Sequence, residues 1–392
     1  MKKYKYHKRR HTFCYHLIRP VFKLVARTKC RVKYGKVPDP DRPYLILFNH
    51  QTAHDQFYIY GLFRRTTYFV ASEDLMTMGA LSKFISYTCG IVPIRKNTTD
   101  ATAVKTCCKI AQDGFSVALS PEGNRTYTGK TMYSIPAIAK FAKLLKLPVA
   151  FVHIDGGYGV DPRWARKHRF GTVGVSVRRI VEPEEYKQMT ADEVMAMINE
   201  MLYVDETTDR RVYKDIPTSA EYLERVLYRC PECGSIGTLY SDGRTFNCRN
   251  CNLSVKYLPD KLFDDKSPFL TVHQWWEWQN EQVRNSDITD TRSLIAQDTV
   301  RADKVDFPRK RLIKKSVDLC LYCDRITADD VTYSFNDIVA FSICGRNKLY
   351  MYLKDGAIQF KGNKRFNALK YLNYFYHYKN TTEEMPDDFL GI

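Results

Sequence analysis

The sequence predicts an α/β domain followed by a small ribbon built on four cysteines and a β-rich C-terminal module. Three observations predict this order. Apolar, strand-like runs at residues 44–48, 115–120 and 147–154 punctuate the first half, with a helical stretch around Cys107-Cys108 and a closing helix over 190–202. Two Cys-x-x-Cys pairs stand fourteen residues apart in the middle of the chain. Residues 310–362 then alternate apolar and polar positions in strand-like runs at 316–325, 331–342, 348–353 and 357–360, before a final helix.

The first apolar run, Tyr44-Leu45-Ile46-Leu47-Phe48, leads into Asn49-His50-Gln51-Thr52-Ala53-His54-Asp55. An imidazole with a carboxylate on its far nitrogen is what activation of a hydroxyl needs. The carboxylate fixes the tautomer and steadies the imidazolium that forms. Positions five apart leave different faces of a regular helix, so the pair requires a turn or a distorted helix start.

Three more segments follow in order. Gly90-Ile91-Val92-Pro93-Ile94-Arg95-Lys96 puts two cations after a short apolar run. Residues 115–120 run into Pro121-Glu122-Gly123-Asn124-Arg125-Thr126, and Leu147-Pro148 opens the next run. Across residues 40–160 these four blocks resemble the glycerolipid acyltransferases, which carry Asn-His-x4-Asp, Gly-x-x-x-x-Arg, Pro-Glu-Gly-x-Arg and a Pro-centred apolar strand in this order.

The resemblance implies a glycerolipid acyltransferase-type α/β domain with His50 as general base on an acceptor hydroxyl and Asp55 orienting it. Arg95 and Arg125 would hold the acceptor's phosphate, for which a guanidinium fork is well shaped. Glu122 and Gly123 would shape the acceptor pocket. No catalytic cofactor is implied, because the donor, acyl-CoA or acyl carrier protein, is an activated thioester. The implied acceptor is lysophosphatidic acid (1-acyl-glycerol-3-phosphate), and the implied product is phosphatidic acid. Another lysophospholipid or glycerolipid acceptor is the close alternative. Ser120, Asn124 and Thr52 depart from the residues commonest in the family, and none removes a charge the mechanism needs.

Plainer readings stand beside these. Lys96 reads equally as a solvated cation. His54 stands four residues from His50, a spacing that suits zinc on a helix, but it has no adjoining Glu and no third ligand nearby. His153 reads as a core histidine, and Cys107-Cys108 as packing.

The formal charge of +17 is unevenly spread: residues 1–38 hold thirteen Lys and Arg, and Asp39 is the first acid. Residues 16–27 intersperse cations with apolar side chains, as a helix lying on an anionic membrane surface does, with Pro20 expected to start or break that helix. A disordered basic arm is the alternative. No apolar stretch reaches the roughly 18 residues that span a bilayer, and the N-terminus lacks a signal peptide's apolar core. The expectation is a cytoplasmic protein, peripheral on the inner face of a membrane. Arg163-Trp164-Ala165-Arg166-Lys167-His168-Arg169 reads as an interfacial anchor, a second phosphate contact or a solvated loop.

Cys230-Pro231-Glu232-Cys233 and Cys248-Arg249-Asn250-Cys251 have the spacing of a closed four-thiolate site, and the segment looks like a zinc ribbon with structural Zn2+. Cys320-Leu321-Tyr322-Cys323 lacks a second pair and sits in an alternating strand. A tryptophan-rich helix over 271–279 precedes the β-rich module, whose pattern resembles pleckstrin-homology or GRAM-type lipid-surface modules. The resulting division is 1–38 basic membrane segment, 39–205 acyltransferase domain, 206–228 linker helix, 229–258 zinc ribbon and 259–392 Trp-rich helix with β-rich module. A zinc-ribbon nucleic-acid-binding protein is the reading of another class. Nucleic acid is not expected, because such binding has no reason to specify His50, Asp55, Glu122 and Arg125 together.

Overall fold

The computed structural model describes residues 6–94, 100–306 and 309–383. The chain forms two compact units, one of residues 1–163 and 168–214 and the other of 164–167 and 215–392.

The first unit is a seven-stranded sheet in the order β1-β7-β6-β2-β5-β3-β4. Its strands are β1 (Arg31–Tyr34), β2 (Leu45–Phe48), β3 (Thr67–Ser72), β4 (Val92–Ile94), β5 (Ser116–Leu119), β6 (Val149–Asp155) and β7 (Thr172–Val181). All neighbours pair parallel except β6 and β7. Helices α1 (Arg9–Lys29), α2 (Asp55–Leu62), α3 (Ala80–Cys89), α4 (Ala101–Gln112), α5 (Ala137–Leu145), α6 (Gly157–Val160), α7 (Pro183–Lys187) and α8 (Ala191–Leu202) connect and cover it.

Parallel strands buried on both faces read as continuous apolar runs, and the alternation appears only in what each side chain meets. In β2, Leu45 and Leu47 enter one core with Val117, Val149 and Phe151, while Ile46 and Phe48 enter the other with Ala118, Ala150 and Val152. The three expected strands and the helix over 190–202 are present, and Cys107 packs in the core. His153 is half-buried rather than a core residue, with Nε2 3.3 Å from the Tyr203 carbonyl.

Helix α1 runs through Pro20 instead of breaking there. A proline inside a helix costs about 3 kcal/mol, and contacts in the turns just before it offset that cost. The Tyr15 hydroxyl donates to Phe63 O at 3.1 Å, and Arg19 Nε donates to Tyr60 O at 2.9 Å. The opposite stripe of α1, Phe13, Leu17, Val21 and Leu24, is exposed.

The second unit opens with strands β8 (Leu239–Asp242), β9 (Thr245–Cys248) and β10 (Ser254–Lys256), a three-stranded antiparallel ribbon. Helix α9 (Val272–Arg284) starts at a capping box between Thr271 and Gln274, and it buries Trp275 and Trp276. Strands β11 (Ala296–Asp306), β12 (Arg309–Leu321), β13 (Arg325–Ala328), β14 (Val331–Ser334), β15 (Ile338–Cys344), β16 (Lys348–Leu353) and β17 (Gly356–Lys361) form one antiparallel sheet, ordered β14-β13-β12-β11-β17-β16-β15. Helix α10 (Leu369–Thr382) packs on it through Phe375 against Phe341, with ring centroids 4.8 Å apart.

Three further sequence expectations are corrected. Residues 206–228 hold no linker helix; they are irregular apart from one 3-10 turn at Leu223–Arg225. Ala220, Leu223, Val226 and Leu227 are fully enclosed, so burial rather than helical periodicity organises the segment. Trp164 is no exposed anchor: it is 1% exposed, against the Tyr257 ring at 5.3 Å. The run 331–342 is not one strand but two, β14 and β15, separated by a turn in which Asp337 N–H donates to Ser334 O at 3.0 Å.

Candidate active site

The site begins where β2 ends. The Asn49 amide continues the ladder with its side chain: Nδ2 donates to Ile154 O and Oδ1 accepts from Ile154 N, each at 2.7 Å. That exchange ties the start of the loop to β6, so His50 leaves the sheet at a set point. The loop closes on Asp55, the first residue of α2. The pair therefore sits at a helix start, as its spacing requires.

Asp55 is wholly enclosed, and its carboxylate organises the turn. Oδ2 lies 2.7 Å from His50 Nδ1 and also accepts the Gln51 N–H at 2.7 Å. Oδ1 accepts the Thr52 N–H at 3.0 Å and the Thr52 hydroxyl at 2.7 Å. With Nδ1–H donating to this carboxylate, Nε2 is left as the basic nitrogen. The His50 side chain is 26% exposed, enough for a substrate to reach it.

Behind His50 stands Glu122, 4% exposed. Its Oε1 accepts the His50 N–H at 2.7 Å and its Oε2 accepts the Met132 N–H at 3.0 Å. The side chain thus braces the loop from the inside instead of lining an open acceptor pocket. Burial pushes its carboxyl up to about 8, against the two backbone donors. The turn that delivers Glu122 needs Gly123, whose φ is +65°. Thr126 N–H then donates to His50 O at 2.9 Å, so the two motifs are joined at both ends.

Arg125 is largely buried, and its Nη1 donates to Asp161 Oδ2 at 3.1 Å. Asp161, just after α6, also accepts the Ala53 N–H at 3.1 Å and lies 3.2 Å from His168 Nδ1 and 3.9 Å from His54 Nδ1. Burial opposes its ionisation, but His168, Arg125 and the Ala53 N–H outweigh it and hold its pKa at about 2. His54, Asp161 and His168 are close enough together to hold a metal ion. Sequence reasoning dismissed His54 for want of a nearby third ligand; both partners are remote in the chain and carry no motif. Arg95 and Lys96 lie outside the described residues. β4, the strand that leads into them, is at the sheet edge beside β3.

In the second unit the four ribbon cysteines come together. Sγ of Cys230 lies 3.6 Å from that of Cys251, and Sγ of Cys233 lies 3.7 Å from that of Cys248. Four thiolates about 2.3 Å from a tetrahedral zinc stand about 3.8 Å apart, so the cluster fits that ion, whereas a disulfide would bring two sulfurs to about 2.05 Å. Gly234, at φ +69°, supports the first knuckle, where its N–H donates to Cys230 O at 3.0 Å.

The family model described as acyltransferase matches residues 29–154. Human 1-acyl-sn-glycerol-3-phosphate acyltransferase alpha is 22% identical over 191 residues, which cover 47% of this chain and 65% of that protein. The chain therefore spans less than two thirds of that relative. The crystal structure of the 1-acyl-sn-glycerophosphate (LPA) acyltransferase PlsC from Thermotoga maritima is 21% identical, covering 50% of this chain and 80% of that one at a TM-score of 0.43. Residues 29–154, which match the acyltransferase model, are the segment that holds His50 on its turn and Glu122 and Arg125 around it.

Proposed function

We propose that the chain transfers a fatty acyl group from an acyl thioester, acyl-CoA or acyl carrier protein, to 1-acyl-glycerol-3-phosphate, giving phosphatidic acid. The observation that carries this reading is the Asp55–His50 pair, with Nδ1 committed and the ring partly open to solvent. Nε2 takes the proton of the acceptor hydroxyl as its oxygen attacks the thioester carbonyl. The tetrahedral oxyanion collapses, the C–S bond breaks, and the thiolate leaves with the proton held by His50. Asp55 stabilises the imidazolium between these steps. Arg125 carries the positive charge for the acceptor phosphate, with Arg95 assigned the same task by its motif. Glu122 acts through the His50 backbone as a positioning residue, and Gly123 permits its turn.

The reading extends to the rest of the chain. The exposed apolar stripe of α1, with Lys8, Arg9 and Arg27 exposed on the same basic segment, supports peripheral attachment to an anionic membrane surface. No helix of the described residues is long and apolar enough to cross a membrane. Cys230, Cys233, Cys248 and Cys251 hold a structural zinc with no open position for catalysis. The β11–β17 sheet with α10 supports a pleckstrin-homology or GRAM-like module.

Purified protein incubated with labelled acyl-CoA and lysophosphatidic acid should form labelled phosphatidic acid, and His50→Ala should abolish it. Equal product from wild type and variant sinks the mechanism; transfer only to another lysolipid or glycerolipid replaces the acceptor.

A further inference from the structure

Asp161 is 1% exposed, and three cation-capable side chains fan out from it towards the surface: Arg125 at 12% exposure, His54 at 17% and His168 at 30%. The two imidazoles stand 5.1 Å apart between centroids. His54 belongs to the same turn as His50, and Ala53 between them donates to Asp161. The cluster is therefore bonded to the catalytic loop and to the arginine assigned to phosphate, yet none of the four family blocks contains Asp161 or His168.

Charge balance indicates what such a cluster receives. Asp161 meets Arg125 through Nη1 at 3.1 Å, and an imidazole beside such a pair can stay neutral or take up a proton. Burial lowers the pKa of His54, with Asp161 opposing, which favours its neutral ring. A phosphodiester brings one negative charge, and Arg125 can answer it. A phosphomonoester brings close to two near neutral pH, and the second calls for a further donor that can take up a proton. Two imidazoles sharing one carboxylate supply that donor.

We infer that His54 and His168, held by Asp161 beside Arg125, are specificity-determining contacts that select a phosphomonoester headgroup over a phosphodiester. This rests on the acceptor reading above and names the residues that enforce it. Asp161 is a positioning residue: it aims Arg125 and both rings without itself touching the anion. A divalent cation is the competing occupant of the same three side chains. It is disfavoured because Arg125 shares the carboxylate and places a positive charge beside it.

The test is direct binding, independent of catalysis. The full chain is titrated with sn-glycerol 3-phosphate and, separately, with glycerophosphocholine, by calorimetry and 31P resonance, with and without chelator. Wild type should bind the monoester more tightly than the diester. His54→Gln/His168→Gln should weaken the monoester about tenfold or more, the scale of a charge-assisted hydrogen bond, and leave the diester unchanged. His168→Arg on the His54→Gln background should recover much of the loss, and His50→Ala should keep the wild-type preference. Equal monoester affinity in wild type and double variant overturns the inference, as does no binding of either ligand. Parallel loss of both ligands also overturns it, because that is damage to the loop. Monoester binding that requires added Mn2+ and vanishes with chelator assigns the cluster to a metal instead. Selectivity that behaves as expected in a protein unable to acylate any lysolipid would sink the reaction and leave the pocket standing.

Discussion

Asp55 Oδ2, wholly enclosed, lies 2.7 Å from His50 Nδ1 and accepts the Gln51 N–H at the same distance, so one atom sets both the tautomer of the base and the shape of its loop. Asp55→Asn keeps the volume and removes the charge. The amide either donates towards Nδ1, forcing the proton onto Nε2, or turns and meets the loop N–H groups with its own donor. The expected loss in kcat is on the order of 10²–10⁴-fold, with a smaller change in the acceptor KM. Steady-state kinetics on the folded variant check this, and a variant within threefold of wild type removes Asp55 from the mechanism.

Glu122 makes stability depend on pH. Its folded pKa of about 8 lies above the ordinary 4.5, because burial disfavours the carboxylate. Between those values the native state holds a proton that the unfolded chain has released, so stability falls as pH rises from 4.5 through 8. Urea unfolding midpoints at about pH 5 and about pH 8 should show that decline, and Glu122→Gln should flatten it. Identical pH dependence in the two proteins contradicts the assignment.

Zinc should hold the ribbon in place. Metal analysis should find about one zinc per chain, lost in Cys230→Ser. Trp275 reports the consequence, since its Nε1 donates to Arg229 O at 3.0 Å and its ring lies 5.4 Å from Phe246 on β9. Chelation should therefore shift tryptophan emission to the red. Full metal content in Cys230→Ser/Cys248→Ser would falsify the ribbon as a zinc site.

The exposed stripe of α1 should contribute membrane affinity without contributing fold stability. Leu17 and Leu24 are 62% and 64% exposed, and burying a leucine in lipid is worth about 1.5–3 kcal/mol. Leu17→Glu/Leu24→Glu should lower sedimentation with anionic vesicles at least tenfold while leaving the thermal midpoint close to wild type. Unchanged vesicle binding means that another surface carries the attachment.

Features carried by a few neighbouring residues were legible in the chain. The His50–Asp55 turn, the strand entering it and the two cysteine knuckles are local, because hydrogen-bonding type, glycine φ and side-chain period act over a handful of positions. The expectation failed wherever long-range burial overrode local preference. Pro20 stays inside α1 because Tyr15 and Arg19 are anchored on residues 60–63. Trp164 amid its cations looked like surface and is interior, with Arg225 Nη1 donating to its carbonyl at 2.9 Å.

Sequence therefore specified the His50–Asp55 pair, the four blocks along residues 40–160 and the four cysteines that come together in the ribbon, since each is written in residue type and spacing. Tertiary structure alone turned Glu122 inward onto the His50 backbone and brought Asp161 and His168, more than a hundred residues beyond His54, up to that side chain, with Arg125 on the same carboxylate. The reason is geometric: β6 pairs with β2 and returns the chain beside the His50 loop, and no spacing along the chain encodes that encounter.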